Sequence, residues 1–181
     1  VCDAETGVLL PLADGKLVRS TVESVTPGRA GSPGALQGDF SDAKVIGTVT
    51  KNTVRGIFGT LSERSLLSGE SAVPVASRDE IQTGDAEILA NTSGDEVQRY
   101  SVQIVRIYPE NDEYGRGMML RVTDKALLAQ TGGILQGMSG SPVLQNGKLI
   151  GAVTHVLVDD PASGYAICIE DMLAEADSTA A

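Results

Sequence analysis

The sequence predicts an all-β protein, and three observations support that prediction. Turn-forming residues recur along the whole chain, with 21 glycines and 7 prolines in 181 residues. Between the turns lie about a dozen short runs with alternating or continuous apolar residues. Aromatic residues make up only 3% of the chain and Trp is absent, so aliphatic side chains must supply the core. Many short strands separated by turns are typical of a β-sandwich or a β-barrel.

The individual elements follow from local patterns. The predicted strands are 8–10 and 16–25 around an Asp14-Gly15 turn, 44–50 and 56–61 joined through Asn52, 71–76, 86–91 and 97–108 joined through Ser93-Gly94-Asp95, 118–122, 143–145 and 149–158 joined through Asn146-Gly147, and 165–169. The apolar face of 97–108 predicts a slip of register near Val105. Pro74 marks 71–76 as an edge strand. The six glycines and prolines within 26–38 predict a loop, and the patterns favour short helices at 124–130 and 170–176.

The stretch Gly137-Met138-Ser139-Gly140-Ser141-Pro142 is the candidate catalytic motif. Glycines on both sides of Ser139 allow positive φ angles and the close approach of a substrate carbonyl. The backbone N–H groups of Gly137 and Ser139 are then candidates for an oxyanion hole, which stabilises the tetrahedral intermediate of acyl transfer. The alternative is an ordinary Gly/Ser/Pro turn that leads into a hairpin.

Charge and composition argue against several other classes of function. The net charge of −10 disfavours binding to nucleic acids or to anionic membrane surfaces. His155 is the only histidine, which excludes a multi-histidine zinc site, and the acidic residues show no calcium-loop spacing. No metal or cofactor is therefore expected. Cys2 and Cys168 have no metal-ligand spacing, and buried free thiols are favoured over a disulfide, which would need the first and last strands to be adjacent.

The serine stretch resembles the Gly-x-Ser-Gly-[Ser/Gly]-Pro nucleophile turn of chymotrypsin-like serine peptidases. Longer blocks, from one end of the chain to the other, resemble the SpoIVB peptidases of endospore-forming bacteria. These blocks are Cys2-Asp3, Thr6-Gly7, Leu10-Pro11-Leu12, Ile46-Gly47-Thr48, Asn52-Thr53, Gly56-Ile57-Phe58-Gly59, Gly132-Gly133-Ile134, Gln136 to Val143, Gln145 to Val156, Asp159-Asp160-Pro161 and Ser163-Gly164-Tyr165.

The resemblance implies a chymotrypsin-like double β-barrel with a short C-terminal helix over residues 1–181, with the two halves meeting at about 78–85. It also implies a Ser/His/Asp triad in which Ser139 is the nucleophile and Asp124 the aspartate. The family's histidine lies in a Gly-His pair just before the segment that resembles Val1-Cys2-Asp3. The chain opens without Met, so we expect it to be a piece of a longer protein whose general base lies upstream, and to be inactive by itself.

Two of the candidate site residues have alternative roles. Asp124 precedes a helical pattern, so it is also a candidate helix N-cap, and the two roles can coexist. His155 and Gly133 are candidates for the pocket that receives the substrate residue before the cut; a satisfied structural histidine is the alternative for His155. We do not expect His155 to replace the missing base, because in this fold the base precedes the nucleophile.

The resemblance also implies a biological setting. SpoIVB peptidases are secreted from the forespore into the space between the two membranes of the developing spore and carry a PDZ domain upstream. They cut themselves and a membrane-bound regulator, which releases an intramembrane protease and then a late sporulation sigma factor. The alternative hypothesis is a catalytically silent peptide-binding or scaffold domain. A lipase or esterase is disfavoured, since Ser141 stands where a Gly-x-Ser-x-Gly elbow needs glycine.

Overall fold

The computed structural model describes residues 1–2, 8–12, 14–40, 44–69, 71–109 and 115–178. Over these residues the chain is mostly β-strand. The strands are β1 (Gly15–Val18), β2 (Thr21–Thr26), β3 (Ala35–Asp39), β4 (Val45–Thr53), β5 (Gly56–Leu61), β6 (Gly84–Ala90), β7 (Gln98–Ile107), β8 (Met118–Val122), β9 (Pro142–Gln145), β10 (Lys148–Val156) and β11 (Ser163–Cys168). The α-helices are α1 (Lys125–Thr131) and α2 (Ile169–Asp177), and short 3₁₀ helices occupy Arg64–Leu67 and Arg78–Glu80.

Six antiparallel strands form a closed barrel in the order β10-β11-β8-β7-β6-β9. Burial alternates along β6 and β7, as expected when one face of each strand points into a barrel. The pairing of β7 with β8 shifts between Ile104 and Arg106, which confirms the predicted register slip near Val105. The β9–β10 hairpin turns at Asn146 and Gly147, whose φ angles are 52° and 76°, as a type I′ turn requires.

The hydrophobic core lies almost entirely within and around this barrel. The bulkiest fully buried side chains are Ile88, Val102, Ile104, Met118, Leu120, Leu127, Ile134, Leu135, Met138, Val143, Ile150 and Ile167. Of the described residues before Ala76, Ile46 is the one buried hydrophobic side chain. The free energy of burial therefore stabilises the second half of the chain far more than the first.

The first half forms two small sheets, β1-β4-β5 and β2-β3, and neither is closed in the part of the chain that is described. Its apolar residues remain partly accessible; Val45 and Ile57 are each 44% exposed. Helix α2 packs on this half through Glu175, which binds Lys51 at 2.7 Å and Arg55 at 3.3 Å. The boundary near 78–85 stays a prediction, although β6, the first strand of the barrel, begins at Gly84.

Several local predictions were wrong in the first half. Residues 8–10 contribute only an isolated bridge through Leu9, and 71–76 only a bridge through Val75. The run 16–25 breaks at residues 19–20 into β1 and β2, and the predicted loop 26–38 contains most of β3. The β4–β5 hairpin turns after Thr53 and not at Asn52, which pairs with Ile57. Weak burial explains these errors, because strands that cover little core carry a weak apolar pattern.

Both helices were predicted within two residues of their ends. The sequence also predicts that the tail 177–181 frays at the chain end, but only its residues up to 178 are described. The acidic residues Glu110, Asp112 and Glu113, which the sequence predicts to form a solvated loop, also lie outside the described ranges. No helix in the described ranges is both long enough and apolar enough to cross a membrane.

Candidate active site

Ser139 lies in a tight turn between α1 and β9. The turn is closed by the Ser141 N–H, which donates to the Met138 carbonyl at 3.0 Å. Gly140 takes φ = 92°, the left-handed value that the third position of a type II turn requires. Pro142 then begins β9 directly after the turn. The glycine after the serine is thus a conformational requirement, and it presents Ser139 at the surface.

Two backbone N–H groups beside the serine are available to a ligand. Within the described part of the chain, neither the Gly137 N–H nor the Ser139 N–H donates a hydrogen bond, and both residues are exposed. The Ser139 hydroxyl donates to the carbonyl oxygen of Thr154 at 2.9 Å. The turn therefore offers the two donors that an oxyanion hole needs, while the hydroxyl is bonded to a carbonyl of β10 and not to a base.

A cleft of about 220 Å³ opens beside Ser139. Most of its lining side chains are apolar: Pro33, Ile134, Leu135, Val153, Val156 and Val158. The polar residues that line it are Ser139, Gln136, Thr154 and His155. Two larger depressions, of about 630 and 660 Å³, are lined by other residues and contain neither Ser139 nor His155. A cleft smaller than ordinary small-molecule pockets suits a single amino-acid side chain.

His155 is one of the residues that line this cleft. It is exposed and stands on β10 opposite Tyr165 of β11. Residues directly opposite each other in an antiparallel pair place their side chains on the same face of the sheet. His155 therefore shares the outer face of the barrel with Tyr165, whereas Val153 of the same strand is buried. The sequence predicted His155 in the substrate pocket, and in the structure it lines the cleft that contains Ser139. Its contact with substrate stays a prediction.

Asp124 caps the first turn of α1. Its Oδ1 accepts a hydrogen bond from the Leu127 N–H at 2.9 Å, and the Ser101 N–H lies 3.5 Å from its Oδ2. The helix-cap alternative is therefore observed directly. The carboxylate does not line the cleft beside Ser139. Its role as the aspartate of a catalytic triad stays a prediction.

The sequence profile of SpoIVB peptidase S55 matches residues 1–173. This chain belongs to the SpoIVB peptidase S55 family. Among solved structures it is similar to the crystal structure of the Rv3671c protease from M. tuberculosis in its active form, at 20% identity over 89% of this chain and 74% of that chain, with a TM-score of 0.53. No curated protein matches the chain.

The family and the fold predicted from sequence are thus confirmed. The SpoIVB domain is a serine peptidase, a hydrolase, with a chymotrypsin-like fold in which the second half is a closed six-stranded barrel. Both of its cysteines are free thiols, as predicted, but Cys2 is exposed while Cys168 is buried. No cluster of three or more His, Cys, Asp and Glu side chains in the described ranges could hold a metal ion.

Gly133, the second residue predicted for the substrate pocket, is a close-packing position in the SpoIVB domain. It is buried with φ = 142°, and a Cβ there would lie 2.1 Å from the carbonyl oxygen of Pro161. The neighbouring Ile134 lines the cleft instead. Gly132 is similar, since a Cβ would lie 2.1 Å from the Gly28 carbonyl oxygen. These glycines let the segment before Ser139 pack against two other loops.

The sequence did not indicate the backbone carbonyl and N–H groups that hold the serine turn in place. The Thr154 carbonyl holds the Ser139 hydroxyl, and residues 34–36 hydrogen-bond to Gln136 just before the turn. Carbonyl and N–H groups are the same in every non-proline residue, so no residue type signals them. The cleft also combines Pro33 with residues more than 100 positions away, a proximity that no local pattern contains.

Proposed function

We propose that this SpoIVB-type domain is an endopeptidase in which Ser139 is the nucleophile. The observation that carries the proposal is an exposed serine beside a cleft. Next to it are two N–H groups that donate no hydrogen bond to any described residue. The Ser139 Oγ attacks the substrate carbonyl carbon as a base takes its proton, and the Gly137 and Ser139 N–H groups bind the resulting oxyanion. Collapse releases the amine and leaves an acyl-enzyme, which water hydrolyses.

The base in this proposal is a histidine that precedes Val1 in the full protein, oriented by Asp124. Family membership supports this assignment, because the histidine of SpoIVB peptidases lies in a Gly-His pair just before the segment that resembles Val1-Cys2-Asp3. The geometry at Ser139 is compatible with it, since the hydroxyl is held by one hydrogen bond to the Thr154 carbonyl and a change of χ1 to another staggered rotamer would free it. His155 is not assigned as the base.

The substrate class we propose is a polypeptide with an aliphatic residue before the cut. Six of the side chains that line the cleft are apolar, and no Asp, Glu, Lys or Arg is among them. A charged side chain entering such a cleft would lose hydration without gaining a partner. His155 also lines the cleft, but it is exposed and stands opposite Tyr165 on the barrel, so we do not assign it the recognition of an acidic or amide side chain.

The finer biological role rests on family membership. We propose that the protein works outside the cytoplasm, between the two membranes of the developing spore, with a PDZ domain upstream of this domain. Its substrates would be its own upstream segment and a membrane-bound regulator whose cleavage triggers intramembrane proteolysis and late sigma-factor activation. Self-cleavage has a direct readout: the full-length protein should release its upstream segment, and Ser139→Ala should abolish that release.

Labelling with a fluorophosphonate probe tests the nucleophile and the base together. We would treat this chain and a version that continues upstream through the expected histidine, each beside its Ser139→Ala variant, and locate the adduct by mass spectrometry. We expect an adduct on Ser139 in the longer protein alone. Labelling of neither form would favour the catalytically silent peptide-binding domain. Labelling of this chain that disappears in His155→Ala would identify His155 as the base.

A panel of matched peptides tests the substrate class. The peptides would differ only in the residue before the cut, with Leu, Val, Glu, Gln and Lys in turn. We expect kcat/KM for Leu or Val to exceed that for Lys or Glu by at least about 10²-fold, since burial of an unpaired charge is far more costly than a mismatch in apolar shape. His155→Ala should leave this ranking unchanged. A preference for Glu or Gln that His155→Ala removes would contradict the assignment.

A further inference from the structure

Residues 34–36 run alongside the residue that precedes the oxyanion turn. The Gln136 N–H donates to the Gly34 carbonyl at 2.8 Å, and the Leu36 N–H donates to the Gln136 carbonyl at 2.9 Å. Ala35 and Gln136 form a parallel bridge between these two bonds. Both backbone groups of Gln136 are thus held by one short segment from the first half of the chain.

This pairing determines which way the next N–H group points. The Gln136–Gly137 peptide bond is trans, as no cis bond is found in the described structure. In a trans peptide the C=O and N–H bonds point in opposite directions. Since the Gln136 oxygen points at the Leu36 N–H, the Gly137 N–H must point away from residues 34–36. It lies at an exposed position and has no acceptor among the described residues.

The turn itself does not fix this orientation. Gly137 has φ = 99°, and glycine populates positive and negative φ almost equally, so the peptide before it can rotate at little cost. A rotation of about 180° would put the Gln136 carbonyl oxygen where the Gly137 N–H is now, and that oxygen would repel an oxyanion. Such a rotation must first break the bond from Leu36.

Residues 34–36 are themselves held firmly against the barrel. Gly34 is buried, and a Cβ there would lie 2.2 Å from the Thr26 carbonyl oxygen and 2.6 Å from the side chain of Leu135. The side chain of Leu36 packs on the core cluster, and its Cβ would be 3.1 Å from a Cβ placed on Gly137. The segment is therefore a rigid partner for Gln136.

We propose that Leu36, through its backbone N–H, is a positioning residue that holds the oxyanion hole in its productive orientation. This inference rests on the proposed function, because it assigns a purpose to the Gly137 N–H. It also gives the backbone of the first half of the chain a part in catalysis.

Leu36→Pro is the direct test, because proline removes the N–H that donates to Gln136. Leu36 stands opposite Val25 in the β2–β3 ladder, but its N–H donates to the Gln136 carbonyl and takes no part in that ladder. Ala35, the preceding residue, is in a strand, the conformation that a residue before proline prefers. Leu36→Ala is the matched control, as it removes the side chain but keeps the N–H.

The measurement is kcat and KM for a cleavable peptide, in the form that the fluorophosphonate probe labels. We expect Leu36→Pro to lower kcat by about 10²- to 10³-fold, the cost of losing one oxyanion donor, with KM little changed. Leu36→Ala should retain most of kcat. Equal kcat values for the two variants, or a loss that appears in KM alone, would overturn the proposal.

Amide hydrogen exchange in the unsubstituted protein provides a test that needs neither turnover nor a variant. By NMR, the Leu36 N–H should be protected and the Gly137 N–H should exchange rapidly until a peptide boronate forms a tetrahedral adduct on Ser139. An unprotected Leu36 N–H overturns the proposal even if Ser139 is the nucleophile. In the longer protein, which includes the expected histidine, absence of any adduct or label on Ser139 with Leu36 still protected instead counts against the proposed function.

Discussion

Asp124 shows how one residue can satisfy a structural and a chemical requirement at once. The chain needs an N-cap where β8 ends and α1 begins, and a carboxylate oxygen meets this need through the Leu127 N–H. The triad requires a carboxylate that fixes the tautomer of a histidine and stabilises its cation. The second carboxylate oxygen has only a 3.5 Å approach from the Ser101 N–H.

Two substitutions at this residue separate the roles. Asp124→Ala should lower the free energy of unfolding by about 1 kcal/mol through loss of the cap, while Asp124→Ser should restore most of it, since serine is an equally good N-cap. Both variants lack the carboxylate, so a triad role requires both to lose about 10⁴-fold in kcat. Urea unfolding and peptide cleavage measure the two effects. Full activity in Asp124→Ser would restrict Asp124 to the cap.

At the scale of elements, α2 joins the two halves of the molecule. Its Glu175 lies between Lys51 and Arg55, at the end of β4 and in the turn that follows it, while Asp171 of the same helix binds Arg78 at 2.5 Å. The Lys51 ammonium, which donates to Glu175, holds the pKa of that carboxyl below its usual value of 4.5. The first half of the chain, which buries few apolar side chains, is thus linked to α2 by ion pairs.

This attachment predicts a particular dependence of stability on pH. Because the folded-state pKa of Glu175 is depressed, its contribution is present above the unfolded value near 4.5 and is lost as the pH falls through the folded value. Glu175→Gln should therefore be less stable than the unsubstituted protein at pH 7, and the difference should shrink as the pH is lowered toward 3. Urea titrations followed by circular dichroism measure this difference.

Glu87→Gln is the matched control, since it removes an ion pair to Arg99 in which both side chains are about half exposed. Exposed pairs contribute little to stability, so this variant should stay close to the unsubstituted protein at both pH values. A Glu175→Gln difference that is the same at pH 7 and pH 3 would show that its effect comes from packing and not from charge.

At the scale of the whole molecule, the two cysteines lie in regions of very different protection from solvent. Cys2 is exposed at the start of the chain, whereas Cys168 is fully buried at the end of β11 in the closed barrel. Burial raises the pKa of the Cys168 thiol to about 11, so this sulfur is both inaccessible and protonated in the folded state.

Alkylation with iodoacetamide at pH 8 should therefore modify one thiol per molecule. Mass spectrometry should place that modification on Cys2, with Cys168 reacting only after denaturant is added. Cys2→Ser should react hardly at all when folded. Rapid modification of Cys168 in the native protein would show that the barrel opens near β11 and α2 far more readily than its burial indicates.

The sequence by itself determined the all-β class, the strands of the barrel, both helices and the serine turn. These features rest on local patterns: the alternation in β6 and β7, the Asn146-Gly147 hairpin, and the glycines around Ser139. Barrel strands carry strong patterns because each has one face against the core. The resemblance of many blocks along the chain then identified the family before any geometry was known.

Only the tertiary structure decided how the site is assembled. It placed β3 within a stretch that had been predicted as a loop, and it brought residues 34–36 against Gln136 through backbone bonds that no residue type signals. It brought His155 to the cleft beside Ser139 and placed Gly133 in close packing with Pro161. The physical reason is that local patterns encode burial and turns, whereas the direction of one N–H group depends on contacts between segments far apart in the chain.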